Sequence, residues 1–277
     1  MDVNIINTKN EVTGKIKLPA QFDEPLREDL IKRAVVAIEA NQRQRYGAKP
    51  EAGKRSSAYV SKRRNSFKTT YGIGQSRTPR KVMSARGTRF NWVGAFAPQT
   101  VGGRRSHPAK ASKAWTQKIN TKERLKAIRS ALGATMQKII VETRGHKIPD
   151  NFPFILSNDV EKLGKTKDVK AFMTTIGLGK ELERSAITKI RAGIGKMRGR
   201  KTKSKTSALF VTTNDCPLLQ TTRNLPGVDA VTVEKLNTQL LAPGTAPGRL
   251  TLYTQGAIET LGKKKLYTTD RVKEVKA

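Results

Sequence analysis

Residues 44–113 carry seventeen lysines and arginines against one acid, Glu51, and Gly, Ser, Thr, Asn, Gln and Pro fill most of the remaining positions. No apolar run in this stretch is long enough to close a core, so burial cannot offset chain entropy and the cations repel one another. A loop of such length inside an ordered protein is usually functional. The stretch is therefore expected to take its shape from a polyanion outside the chain, and RNA is the expected polyanion. At full extension half of it reaches on the order of 100 Å, and an irregular path about half that.

The remainder of the chain agrees with that reading. Its 277 residues suffice for one large domain or two small ones, and the formal net charge of +33 demands a neutralising partner. An anionic membrane is a poorer match, because the sequence has neither a basic amphipathic helix with a broad aromatic face nor an apolar run of transmembrane length. Met1-Asp2-Val3-Asn4-Ile5-Ile6 lacks the layout of a secretory signal, and the single cysteine, Cys216, excludes an intrachain disulfide and a cysteine zinc cluster. A cytoplasmic protein is expected. Aromatic residues make up only 5%, so phosphate contacts should outweigh base stacking.

Outside the basic stretch the patterning predicts folded elements. Val3–Ile6 and Thr13–Leu18 read as a hairpin, and a helix is expected from Pro25 with Asp23 as its cap and Leu26, Leu30, Ile31, Ala34, Val35 and Ile38 on one face. After the basic stretch, Asn120 and Glu123 suggest a capping box, followed by a stripe of Leu125, Ile128, Leu132, Met136, Ile139 and Ile140. Strands are expected at 154–156, 208–212, 230–233 and 250–253, with helices at 168–176, 180–190, 217–223 and 255–261 between them. This alternation predicts an α/β fold: a three-layer body with a mostly parallel sheet, doubly wound and Rossmann-like, plus a long irregular basic loop. The expected division is a globular domain of 1–43 and 114–262, an RNA-binding loop of 44–113 and a charged, extended tail of 263–277.

No motif supports catalysis. Gly72-Ile73-Gly74 and Gly177-Leu178-Gly179-Lys180 are not placed between a strand and a helix as a dinucleotide loop requires. Gly193-Ile194-Gly195-Lys196 ends like a phosphate loop, but Ile190 replaces its first glycine and Met197 its Ser/Thr. Neither His107 nor His146 has carboxylates or cysteines at metal spacing. His107 reads as a phosphate or base-edge contact, with an incidental loop histidine as the plain alternative; His146 reads as a surface residue. Cys216 reads as a small, buried or half-buried side chain near a strand end. No cofactor, metal or small-molecule substrate is expected. The candidate RNA-binding residues are Arg45, Lys54, Arg55, Lys62, Arg63, Arg64, Arg77, Arg80, Lys81, Arg86, Arg89, Arg104, Arg105, His107, Lys110 and Lys113 in the loop. A second cluster adds Lys196, Arg198, Arg200 and Lys201, where Gly193, Gly195 and Gly199 let backbone lie close to a phosphodiester path. Tyr59, Phe67, Tyr71, Phe90, Trp92, Phe96 and Trp115 are available either to stack on splayed bases or to pack within the loop.

Taken in order, several segments resemble the L-four family of large-subunit ribosomal proteins in its archaeal and eukaryotic branch. They are Pro25-Leu26-Arg27-Glu28-Asp29-Leu30-Ile31, Ala40-Asn41, Tyr46-Gly47, Gly103-Arg104, His107-Pro108, Asn120-Thr121-Lys122-Glu123-Arg124 and Arg129-Ser130-Ala131-Leu132. Further on come Arg144-Gly145-His146, Lys196-Met197-Arg198-Gly199-Arg200-Lys201, Arg223-Asn224-Leu225-Pro226-Gly227 and Leu241-Ala242-Pro243-Gly244. Ala109 stands where many relatives carry a second proline, and 62–99 matches only loosely. The resemblance implies a structural constituent of the large subunit with ribosomal RNA and neighbouring ribosomal proteins as partners. It also implies that the loop reaches the wall of the peptide exit tunnel, with a tip within Thr70 to Asn91 near the nascent peptide. Two other readings fit the residues alone: an RNA-modifying enzyme with a basic insertion, and a general nucleic-acid chaperone.

Overall fold

The computed structural model describes residues 1–269; the end of the expected tail, 270–277, lies outside the described residues. The chain divides into two compact units, one of Met1–Asn41 with the chain from Thr116 onward, the other Gln42–Trp115.

The first unit, the body, begins with the antiparallel pair β1 (Asp2–Ile6) and β2 (Val12–Lys17). At their turn the Asn7 carboxamide oxygen accepts the N–H groups of Lys9 and Glu11, each at 2.9 Å. Helix α1 (Glu28–Gln42) buries Ile31, Ala34 and Val35, as its spacing predicts. It starts later than expected and without Asp23. That residue instead closes a 3-10 turn over Ala20–Phe22, while Ser130 Oγ accepts the Arg27 N–H at 2.7 Å and donates to Pro25 O at 3.0 Å. A side chain from another helix thus does the capping.

Strands β3 (Arg80–Arg86) and β4 (Arg89–Gly94) belong to the second unit. Helix α2 (Thr121–Thr135) follows Asn120, but the expected capping box does not form: Asn120 makes no side-chain cap bond, and Glu123 accepts from Arg33 of α1 at 3.3 Å. The apolar stripe also ends earlier than expected. Extended backbone at Gln137 resets the helical phase before α3 (Lys138–Thr143), which leaves Ile139 78% exposed while Val141 is buried.

Then come β5 (Phe154–Leu156), α4 (Thr166–Thr175) and α5 (Gly179–Ala186). Helix α5 stops a turn short of the expected end because Ile187 is extended and Lys189–Ile190 becomes β6, which pairs with β7 (Thr202–Lys203). The body finishes with β8 (Leu209–Thr212), α6 (Leu218–Thr221), β9 (Asp229–Thr232), α7 (Thr238–Leu241), β10 (Thr251–Tyr253) and α8 (Gln255–Lys263).

The fold is mixed α/β with several small sheets. One has the order β2-β1-β5 and another β10-β8-β9. Pairing of β1 with β5, and of β8 with both neighbours, is parallel, and a single parallel bridge links Leu156 to Thr254. With only three residues in β5 and in β10, the ladder between them shrinks to that bridge.

Successive strand residues point into opposite cores, as the pleat requires. Ile155, Leu209, Val211 and Tyr253 join Ile31, Val35, Ile128, Leu132, Ile258 and Leu261 of α1, α2 and α8. Phe154, Leu156, Phe210 and Leu252 join Val169, Phe172, Met173, Leu182 and Leu218 of α4, α5 and α6. Each fully buried Leu or Phe stabilises by about 1.5–3 kcal/mol, so the body has ample reason to fold by itself. Its end is not the extended tail expected from 263: Leu266 is buried, and the Tyr267 hydroxyl donates to Val233 O at 2.6 Å.

Candidate nucleic-acid interface

The second unit, Gln42–Trp115, is an arm whose outgoing and returning legs run side by side. Ala48 N–H donates to Ala109 O at 2.8 Å. At Gly53, where φ is +73°, a β-carbon would stand 2.6 Å from Arg104 Cα, so only glycine permits both the turn and the approach.

Farther along, the arm is not the wholly irregular loop expected. β3 and β4 pair antiparallel across the two-residue turn Gly87-Thr88, with Arg86 opposite Arg89 and Lys81 opposite Val93. One face of this hairpin gathers aromatic rings. Phe90 lies 5.1 Å from Trp92 and 5.3 Å from Phe67, and Trp92 Nε1 donates to Gln75 Oε1 at 2.8 Å. Cations sit on ring faces: Arg77 is 4.3 Å and Arg64 5.3 Å from the Tyr71 centroid, and Lys68 lies 5.7 Å from Phe90. The arm's aromatics thus largely pack with its own side chains, one of the two options that the sequence left open.

Among the described residues of the arm only Thr70, Ala95 and Ala97 are buried. Arg80 and Arg104 are half-buried. Arg45, Lys54, Arg55, Lys62, Arg63, Arg64, Arg77, Lys81, Arg86, Arg89, Arg105, His107, Lys110 and Lys113 are exposed. None of these lysines and arginines forms an ion pair among the described residues. Arg129, Arg184 and Arg249 of the body, by contrast, pair with Glu24, Glu181 and Asp229. The arm is therefore a field of fixed positive charge without internal compensation.

The second basic cluster is organised as a separate hairpin. β6 and β7 flank a 3-10 turn over Ile194–Arg198, entered through Gly193 and left through left-handed Gly199. Arg191 N–H donates to Lys201 O at 2.8 Å and its Nε to Arg200 O at 3.1 Å. Residues 187–206 contain eight lysines and arginines and no acid. Lys196, Arg198, Arg200 and Lys201 all face solvent, as does Met197, 87% exposed.

What fixes this hairpin is a buried charge that the sequence did not reveal. Glu181, fully buried on α5, accepts from Arg184 Nε at 2.8 Å and Nη2 at 2.6 Å, from Lys147 N–H at 2.9 Å and from Ser207 Oγ at 3.1 Å. It also bonds His146 Nδ1 at 2.8 Å; a carboxylate can only accept, so Nδ1 carries the proton. Arg184 Nη2 further donates to Thr206 O at 2.6 Å. Both roots of the hairpin, 184 on one side and 206–207 on the other, are thereby tied to one carboxylate. Burial alone would raise the Glu181 carboxyl, but the bonds from Arg184, His146 and Lys147 outweigh it and hold it at about 2. Burial lowers the His146 pKa against the raising pull of Glu181.

His146 is thus a 5% exposed anchor and not the surface residue expected. Arg144 of the same motif is also structural, donating to Pro243 O at 2.6 Å and Pro247 O at 3.3 Å. Cys216 is half-buried and unbonded to sulfur. Among the described residues no group of His, Cys, Asp and Glu could hold a metal ion, and no helix is long and apolar enough to cross a membrane.

Residues 16–264 match the Ribosomal protein L4/L1 family. The large ribosomal subunit protein uL4 of Nanoarchaeum equitans is 45% identical, over 96% of this chain and 100% of that protein. The proteins of the same name from Archaeoglobus fulgidus and Methanococcoides burtonii are 42% and 43% identical, over 95% and 93% of this chain and 99% and 96% of theirs. The chain belongs to the ribosomal protein L4/L1 family, whose members are structural proteins of the ribosome rather than enzymes.

Proposed function

We propose that the chain binds large-subunit ribosomal RNA through two surfaces, the arm and the β6–β7 hairpin, and so supports assembly of the large subunit in the cytoplasmic ribosome. The observation that carries this is the arm's exposed, unpaired cations, held on a backbone with almost no core of its own. Phosphates supply the missing counter-charge, and release of their counterions supplies the affinity. The RNA-binding set is the one named from the sequence, with residues 44–113 as the RNA-binding element and 1–43 and 114–262, extended through the buried Leu266, as the globular domain. The two three-stranded sheets, with helices packed on both faces, are read as one twisted, mostly parallel layer of doubly wound, Rossmann-like topology. The β3–β4 turn, as the arm's tip, lines the peptide exit tunnel beside the nascent peptide, and neighbouring ribosomal proteins flank the arm. Family membership leaves no need for the enzyme or general-chaperone readings.

The test is the salt dependence of binding to purified large-subunit RNA. Neutralising about ten phosphates gives a log–log slope of about −7 to −9. A flat response contradicts the proposal.

A further inference from the structure

We propose that the cavity at the root of the arm seats one unpaired RNA nucleotide, its base stacked on Tyr46 and its phosphate held by Arg105 and Lys110. This rests on the RNA-binding reading above and adds to it a contact that phosphate neutralisation does not require.

The cavity measures about 570 Å³, within the range of roughly 300–1,000 Å³ usual for small-molecule sites. Its walls are the two legs of the arm, and they are locked together. Besides the Ala48–Ala109 bond, a β-carbon on Gly47 would lie 2.5 Å from Ala111 N, so glycine is what lets the legs close beside Tyr46. Two rings line the space. Tyr46 and Trp115 stand 6.0 Å apart at 21°. Arg43, 3.9 Å from the Trp115 centroid, and Lys113, at 4.4 Å, cover that ring with charge, whereas Tyr46 remains 54% exposed. Trp115 Nε1–H is buried with no acceptor among the described residues, an uncommon state for a buried donor.

The lining chemistry selects the occupant. Arg105, His107, Lys110 and Lys113 contribute positive or neutral polar groups, and the lining contains no carboxylate. Metal cations are therefore repelled, and an apolar peptide would leave the ammonium and guanidinium groups without a counterpart. A ligand that is both flat and anionic meets every wall. A paired base hides its faces in the helical stack, so the nucleotide must be unpaired.

The experiment uses the full chain with Trp92→Phe as parent throughout, so that Trp115 is the sole tryptophan. Purified large-subunit RNA should quench Trp115 fluorescence saturably. Tyr46→Ala should weaken binding by about 5- to 150-fold, the worth of one stacked base, with the salt slope unchanged. Tyr46→Phe, which keeps the ring, should restore both quench and affinity. Tyr46→Ala binding within about twofold of the parent, with the steep salt dependence intact, overturns the seat and leaves the RNA reading standing. Quenching by AMP or UMP alone at micromolar concentration overturns the assignment to RNA. Loss of the steep salt dependence in the parent overturns both readings.

Discussion

Glu181 shows how much one side chain can settle. Four residues donate to its carboxylate, two of them at the roots of a loop that has no acid of its own. Removing one partner of a buried ion pair costs about 3–5 kcal/mol because the remaining charge stays buried and uncompensated. Glu181→Ala should therefore lower stability by about that much in urea unfolding. The pH dependence follows from the same contacts. The carboxyl is held at about 2, below its ordinary 4.5, so its contribution is fully present above pH 4.5 and is lost as pH falls through about 2. His146 titrates below its ordinary 6.5, so the unfolded chain takes up that proton first and stability begins to erode below pH 6.5. Both effects act in one direction, so the parent should weaken progressively on acidification. Glu181→Ala should lose the part below pH 4.5 and keep the His146 part, because without the raising pull of Glu181 burial and Arg184 hold the imidazole down further. An acid-unfolding profile identical in the two proteins contradicts the assignment. None of this was legible in the sequence, where Glu181 is one acid among the charged residues of an amphipathic helix and His146 follows a helix end. Burial of a charge depends on partners from distant segments, and here they come from 146–147, 184 and 206–207.

Elements were legible to the extent that their apolar spacing was their own. The buried strands at 154–156 and 209–212 and the inner face of α1 match expectation because each carries a run or stripe that water would not tolerate. Helix ends were not legible where distant groups took the expected capping partners, as Ser130 accepts the Arg27 N–H before α1 and Arg33 draws away the Glu123 carboxylate. The arm's hairpin did leave a signal: Phe90 and Trp92 alternate with polar residues just beyond Gly87, which the weight of cations obscured. That hairpin is still a weak element, since isolated hairpins are marginal in water and this one buries few side chains. In free protein, trypsin should cut first between Lys62 and Arg89 and leave the body whole, and bound ribosomal RNA should protect those sites. Resistance of this segment without RNA contradicts the view that a partner stabilises it.

On the scale of the molecule, the body closes without help from the arm. Asn41 Nδ2 donates to Gln117 O at 3.3 Å, and Gln117 N–H donates to Asn41 Oδ1 at 2.9 Å, so the two ends of the excursion are pinned to each other. Replacing Gln42–Trp115 with a short glycine linker should yield a protein whose thermal transition stays within a few degrees of the parent's, because both core clusters survive intact. Its RNA affinity should fall and its salt slope should shrink toward what the β6–β7 hairpin alone supplies. Unfolding of that deletion variant would show that the arm supports the body. The sheet arrangement could not be anticipated from the sequence, because strands of three residues say little about their partners.

The pinned ends also impose an order in time. β1 meets β2 at once, but its other neighbour, β5, is synthesised only after the entire arm. At about 5–20 residues per second, translating the arm alone takes several seconds. Throughout that interval Val3, Ile31 and Val35 lack Ile128, Leu132 and Ile155 of their core, while a lengthening polycation trails behind them. Each new copy is thus most exposed to aggregation, and to capture by the wrong RNA, before α2 and β5 arrive to close the core.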